Sequence, residues 1–165
     1  RSVIRSGARP EHFMPLTADV DIARVLTATR SIALLGASHK PQRPSYEVME
    51  FLLANGYAVY PVNPGLAGQH LQGCLVYAEL AAIPVAIDMV DVFRQVVFLP
   101  GIVEEAIAVG AKTLWTQLGV VDVSAAARAE QGGLEVVLDR CPAIELPRLR
   151  AGGYLPPAVG TSRIK

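Results

Sequence analysis

An excess of one charge is missing from this chain. Its fifteen basic and fifteen acidic residues cancel, which argues against nucleic-acid binding by bulk electrostatics. Cysteine is scarce: Cys74 and Cys141 stand far apart with no CxxC pair, so neither a disulfide framework nor a zinc cluster is expected, and a reducing, cytoplasmic setting is. The three histidines, His12, His39 and His70, have no thiol or carboxylate spacing that suggests a metal site. No apolar run reaches the ~18 residues of a membrane helix. The opening RSVIRSGARPEH lacks the apolar core of a secretory signal, so a soluble protein is expected. The phosphate-loop strings GxxxxGK[ST] and GxGxxG are both absent, which argues against a P-loop NTPase and a standard dinucleotide fold.

What is present is a globular composition, 52% hydrophobic and 18% charged over 165 residues, enough for one domain. Apolar runs of strand length alternate with segments of helical period, which predicts parallel strands joined by crossover helices. Thr17 to Arg30 reads as a leading helix capped by Thr17, and Ser31 to Leu35 as a first strand buried on both faces. Ser45 can cap a helix over Tyr46 to Asn55, followed by a strand at Ala58 to Val62 whose Pro61 suggests a strand end or a sheet edge. The signal weakens between Leu66 and Ile83, where CLVY suits a short strand and AELAAI at most two helical turns. Further strands are expected at Ala86 to Phe93, Thr113 to Thr116 and Leu134 to Leu138, with helices at Ile102 to Val109 and Ser124 to Gln131. The expected organisation is a flexible tail over 1–16, which is alternatively a transit-peptide remnant, a domain over 17–149 and a tail over 150–165.

In an open parallel sheet, ligands bind outside the carboxyl ends of the strands where the strand order reverses. Those ends present Gly36-Ala37-Ser38, Asn63-Pro64, Phe93-Arg94, Trp115-Thr116-Gln117 and Asp139-Arg140-Cys141-Pro142. In GASHKPQRPS, Gly36 lets the chain reverse, and Ala37 and Ser38 keep N–H groups accessible ahead of a helix N-terminus. Ser38, Ser45, Lys40 and Arg43 add donors, so the loop suits a phosphate; the alternative is a tight turn whose polar residues face water. Arg94 can meet a phosphate or its own neighbours, Phe93 and Trp115 can stack on a base or fill the core, and Gln117 can meet a ligand or complete a turn. An acid for the ribose hydroxyls of a dinucleotide is absent where the second strand ends in Asn63-Pro64. No nucleophile and base share a recognisable signature, so no catalytic residue is assigned. Cys141 before Pro142 reads as an inert thiol, and the alternative is thiol or acyl exchange.

The strings LLGASHKPQRPSYEVMEFLLANGYAVYPVNP, AAIPVAIDMVDVFR, EEAIAVGAKTLWTQLGV and GLEVVLDRCPAIE, in that order, resemble the small bacterial CoA-binding domain proteins. These are stand-alone counterparts of the CoA-binding domain of succinyl-CoA synthetase alpha chains and of ADP-forming acyl-CoA synthetases. The resemblance runs from about Thr17 to Leu149 and implies a single α/β domain, Rossmann-like and doubly wound, with a mainly parallel sheet and helices on both faces. It implies a small-molecule ligand, coenzyme A or a short acyl-CoA, held by its ADP diphosphate. Gly36, Ala37 and Ser38 would line the diphosphate with Lys40, Arg43 and Ser45 nearby, Asn63 and Pro64 would border the nucleotide, Phe93 and Arg94 would lie beside the adenosine or diphosphate, and Trp115 and Gln117 would face the pantetheine. The chain departs from the pattern at QVVFLPG, Gln95 to Gly101, an apolar run where many relatives are polar and acidic, which suits a lip for an acyl or pantetheine arm or a dimer contact. The ligase families need further domains, so ligase activity is not expected of this chain alone. A non-catalytic binding protein is the leading expectation; an exchange enzyme using Cys141, or a nucleotide-sensing module with an unidentified protein partner, are the alternatives.

Overall fold

The computed structural model describes residues 12–157. Five parallel strands form the sheet: β1 (Ser31–Leu35), β2 (Ala58–Val62), β5 (Met89–Val92), β6 (Thr113–Thr116) and β7 (Glu135–Val137), in the order β2-β1-β5-β6-β7. A small antiparallel pair, β3 (His70–Leu71) and β4 (Cys74–Leu75), lies in the connection from β2 to β5. Helices α1 (Asp19–Ala28), α2 (Pro44–Ala54) and α5 (Pro142–Ala151) cover one face, and α3 (Leu99–Ala108) and α4 (Val123–Gln131) the other. The parallel strands and crossover helices are those that the alternation of patterns predicts, and together they make the single α/β Rossmann-like domain that the resemblance implies.

Successive strand residues feed opposite cores. In β1, Ile32 and Leu34 enter the layer under α1, α2 and α5, whereas Ala33 and Leu35 enter the layer under α3 and α4. That two-sided burial is why the strands read as unbroken apolar runs. Pro61 sits on the edge strand, and its carbonyl accepts from the Tyr77 N–H at 2.9 Å on the side away from β1. Because a strand residue points its N–H and C=O to the same side, the missing proline donor removes no bond from the β1 ladder.

Several boundaries differ from the sequence expectation. The residue before α1 is Ala18, not Thr17, with no side-chain cap. In α2, Arg43 occupies the cap position and Pro44 the first helical position, so Ser45 lies inside the first turn, buried, and is not the cap. Helix α3 starts three residues earlier than Ile102, at Leu99, because fully buried Leu99 anchors its first turn. Helix α4 is capped by the Asp122 carboxylate, which accepts from Ala125 N–H at 3.0 Å. Only Cys74 and Leu75 of CLVY pair as a strand, and AELAAI holds one 3-10 turn at Leu80–Ala82. Helix α5 was not expected; Pro142 opens it at its first position and Pro147 lies inside it, exposed, while Leu146 and Leu149 are buried.

The ends of the described chain pack against the domain. Phe13 is buried, and Leu16 N–H donates to Val136 O at 2.8 Å, so residues 13–16 lie along the sheet within the span expected as a tail. At the other end, Arg150 and Ala151, expected in the C-terminal tail, close α5, and Tyr154 N–H donates to Leu149 O at 2.9 Å; the expected tail positions 1–11 and 158–165 lie outside the described residues. Among the described residues no helix is long and apolar enough to cross a membrane.

Trp115 ties the sheet to α5. It is completely buried in β6, and its indole N–H donates to Arg140 O at 2.8 Å in the turn before α5. Trp115→Phe removes this bond and some packed volume, and is expected to lower unfolding stability by about 1–3 kcal/mol in urea titrations.

Candidate functional site

The strand order reverses between β1 and β5. After β1 the chain turns to α2 on one face, and after β5 it turns to α3 on the other, so the two turns diverge and leave a crevice outside the strand ends. Gly36, Val62, Asn63, Pro64, Gly65 and Arg94 line a cleft there of about 300 Å³.

Gly36 makes this junction possible. Its φ is +92°, and a Cβ on it would lie 3.1 Å from the Phe93 carbonyl carbon and 3.3 Å from Arg94 Cδ. The β1 and β5 turns therefore touch across a position that needs both left-handed backbone and no side chain. Asn63 fixes the third turn: its Nδ2 donates to Ala37 O at 2.7 Å and its Oδ1 accepts from Gly65 N–H at 2.8 Å. The side chain expected to border a nucleotide is thus committed to bracing two loops, and Pro64 lies exposed at the start of the turn that follows.

The loop after β1 differs in one respect from the expectation. Gly36 and Ala37 N–H groups both point at Val62 O, at 3.1 and 3.3 Å. Ala37 is buried and its amide is not accessible, because the loop first continues the pairing with β2. Among the described residues, the N–H groups of Ser38, His39 and Ser45 have no partner. Ser38 Oγ accepts from Lys40 N–H at 3.1 Å, which leaves the hydroxyl proton available to donate. Lys40 and Arg43 are exposed.

Arg94 is half-buried, and its guanidinium lies 4.1 Å from the centroid of the Phe98 ring. No carboxylate pairs with it among the described residues. A larger hollow of about 480 Å³, between residues 13–17 and Val123, Leu138 and Arg140, shows the contrast. There Arg140 donates to Glu145 at 3.0 Å and to Thr17 O at 3.3 Å, so its charge is already matched. Of these two hollows, the cleft at the strand reversal is the one lined by a cation without a carboxylate partner among the described residues, and the unpartnered N–H groups of Ser38, His39 and Ser45 belong to the loop and first helical turn that follow Gly36, an arrangement suited to an anion.

The family model described as CoA binding domain matches residues 30–147. The chain belongs to the CoA-binding domain family. It is 33% identical over 121 residues to the uncharacterised protein YneT of Bacillus subtilis (strain 168), covering 73% of this chain and 88% of that protein. A solved structure of a hypothetical protein from Pyrococcus horikoshii OT3 superimposes with a TM-score of 0.78 at 39% identity, covering 85% of this chain and 99% of the other. The alpha subunit of acetate–CoA ligase [ADP-forming] I from Pyrococcus furiosus is 33% identical over 89 residues, which span 52% of this chain and 19% of that subunit.

Of the other residues expected at the site, Phe93 stays beside the cleft, whereas Trp115 and Gln117 are buried. Trp115 is a core side chain with its one donor used on Arg140 O, because it points from the central sheet into the layer beneath α1 and α5. Gln117 is also buried, and its Oε1 has no hydrogen-bond partner among the described residues. Phe93 is half-buried against Gly36. Cys141 is buried at the cap position of α5. Phe98 was not among the expected site residues, although the apolar run that contains it was the available signal.

Asp91, one residue before Val92 in β5, is completely buried, and neither carboxyl oxygen has a partner among the described residues. Burial pushes its carboxyl well above the usual carboxylate range. A raised folded-state pKa favours folding fully below the unfolded value, about 3.9, and that contribution is lost as pH rises through the folded value. Asp91→Asn should therefore flatten the fall in melting temperature of the wild type above about pH 4, read by calorimetry across the pH range; parallel profiles for the two proteins would refute the assignment. Gly36→Ala is expected to cost about 2 kcal/mol or more of stability and to disturb the cleft. Gly56→Ala, at φ +90° but with nothing within 4 Å of a new Cβ, carries the strain without the collision, so the difference in urea midpoints reads the contact with Phe93.

Proposed function

We propose that this chain binds coenzyme A or an acyl thioester of it, with the diphosphate in the cleft between the β1 and β5 turns, and that it has no chemistry of its own. The observation that carries this reading is Arg94, a half-buried guanidinium in the cleft with no carboxylate partner among the described residues. Ser38 supplies an N–H and a hydroxyl, the first turn of α2 supplies the Ser45 N–H, and exposed Lys40 and Arg43 add charge. This donor set fits a diphosphate, and coenzyme A when bound would supply a thiol for carrying an acyl group. Gly36 would keep the backbone low enough for the anion to approach, and Asn63 would hold the loop in place. Trp115 and Gln117 would act from behind, by stiffening the sheet on the pantetheine side.

Two features favour coenzyme A over a nicotinamide dinucleotide. The end of β2 offers Asn63 in place of an acid, and both polar ends of that amide are already bonded within the protein, so nothing there grips a ribose diol. Membership of the CoA-binding domain family and the likeness to part of an acetate–CoA ligase subunit point the same way. Buried Cys141 is assigned to packing, not to exchange with the CoA thiol. The absence of paired cysteines supports a cytoplasmic setting.

The test is a thermal-shift series with CoA, NAD, NADP and ATP. A ligand at ~100 times its dissociation constant stabilises by about 2.7 kcal/mol, or roughly 5 to 10 °C here. A rise with CoA and none with NAD is expected, and a rise with NAD alone would replace the reading by a redox one. Arg94→Ala should weaken CoA binding about tenfold to a hundredfold by calorimetric titration, the loss of a charge-assisted contact, while leaving the melting temperature of the ligand-free protein nearly unchanged.

A further inference from the structure

The turns after β5, β6 and β7 are stitched into one row at the ligand-bearing end of the sheet. Gln117 N–H donates to Val92 O at 3.2 Å, which ties the β6 turn to the end of β5. Gly119 N–H donates to Asp139 Oδ1 at 2.7 Å and Asp139 N–H donates to Thr116 Oγ1 at 3.0 Å, which tie the β6 turn to the β7 turn. At the far end of this row lies the hollow of about 480 Å³. Leu138, the residue after β7, and Val123, the first residue of α4, both line it, so it opens at the same end of the sheet as the anion cleft. Its outer wall is the segment 13–17, held by the bond from Leu16 N–H to Val136 O at 2.8 Å and by Met14 N–H, which donates to the Glu130 carboxylate at 3.1 Å.

The hollow has the size of a small-ligand site, and its lining is mostly apolar, with Phe13, Pro15, Leu16, Val123 and Leu138 in its walls. The charged residue in the lining, Arg140, donates to Glu145 at 3.0 Å, and Glu145 also accepts from Arg148 at 2.7 Å. An ionised group entering the hollow would lose its water without gaining a free partner. The fitting group is therefore uncharged and apolar.

The distance from the anion cleft identifies the molecule that carries this group. On one side of the cleft the sheet ends at β2, one strand beyond β1, where Pro64 and Gly65 already line the cleft. The longer run of strand ends leads the other way, to β7, two strands beyond β5. With neighbouring strands about 4.8 Å apart, the end of β7 lies about 12 Å from the midpoint between the β1 and β5 turns. From the diphosphate to its sulfur, the pantetheine arm of CoA runs through roughly twelve bonds, the length of about four residues of extended chain, and reaches ~13–14 Å. An arm that follows the stitched turns from a diphosphate at Arg94 thus brings its thioester to the β7 turn. We infer that the hollow between the segment 13–17 and the β7 turn receives the acyl group of a CoA thioester and selects uncharged, apolar acyl groups. The inference rests on the reading of the cleft as a CoA site, and it names the class of thioester that the protein prefers.

The experiment is calorimetric titration of the whole chain with CoA, butyryl-CoA, hexanoyl-CoA and glutaryl-CoA, on the wild type and on two single variants. Val123→Trp fills the hollow from the start of α4, and Leu138→Ser makes its wall polar; a ligand-free melting curve establishes that each variant is folded. For the wild type, the dissociation constant should fall about two- to fourfold for each methylene added between butyryl-CoA and hexanoyl-CoA, and glutaryl-CoA, which ends in a carboxylate, should bind no tighter than free CoA. Each folded variant should bind free CoA as the wild type does and gain nothing from the acyl chain. Equal affinities along the series in a wild type that binds CoA overturn the acyl preference and leave the CoA site standing. Failure to bind CoA at all overturns the site reading itself. A chain-length gain that persists in a folded variant puts the acyl group outside the hollow and overturns the inference.

Discussion

The close approach of the turns after β1 and β5 is the contact on which the site depends. The strand order places β1 and β5 side by side while their following helices go to opposite faces. The two turns have to separate, yet Gly36 brings them together at their base, against Phe93 and Arg94. A side chain there would drive the β5 turn away and carry Arg94 out of the cleft. The same glycine lets the loop stay paired to Val62 before it opens at Ser38, so the accessible donors begin two residues later than a simple turn would place them.

Around that contact, polar bonds tie the elements to one another. Asn63 clamps the β1 and β2 turns, and the Trp115 indole clamps β6 to the turn before α5. Arg148 holds Asp19 of α1 through two hydrogen bonds at 3.1 and 2.8 Å and Glu145 of α5 at 2.7 Å, which locks the two helices that cover one face. Against this background the unpartnered groups stand out. Arg94 is open to an anion, while Asp91 and the Gln117 side-chain oxygen are sealed inside without partners among the described residues. A buried carboxyl of this kind is tolerated by staying protonated, at a cost in stability that grows with pH.

The legible parts of the fold were those whose burial is uniform. Apart from the half-buried Ser31, SIALL and TLWT are buried along their length, and such apolar runs have one plausible place in an α/β domain. Helix α5 escaped because Pro142 and Pro147 look like stops. Pro142 at the first position gives up a donor that has no partner in any helix, and Pro147 is accommodated because Leu146 and Leu149 on either side are packed in the core. The site was legible as a set of strand ends but not as a set of side chains. Trp115 stands at the expected strand end and yet faces inward, since alternation along β6 sends it into the layer with Leu34 and Cys141, and Gln117 just beyond the strand is buried as well; sequence spacing does not say which parity faces the ligand.

By itself the sequence determined the class of fold, the one-domain size and the set of turns where a ligand can be met, because these follow from apolar periodicity and from the turn chemistry of glycine, proline and asparagine. Tertiary structure decided which atoms in those turns remain available. Ala37 and Asn63 are consumed in holding loops together, Ser45 is drawn into the first turn of α2, and Arg94 is left without a carboxylate but laid on Phe98. Each of those outcomes depends on which strands are neighbours, since a hydrogen bond or an ion pair is a property of two groups brought together by the fold and not of either residue alone.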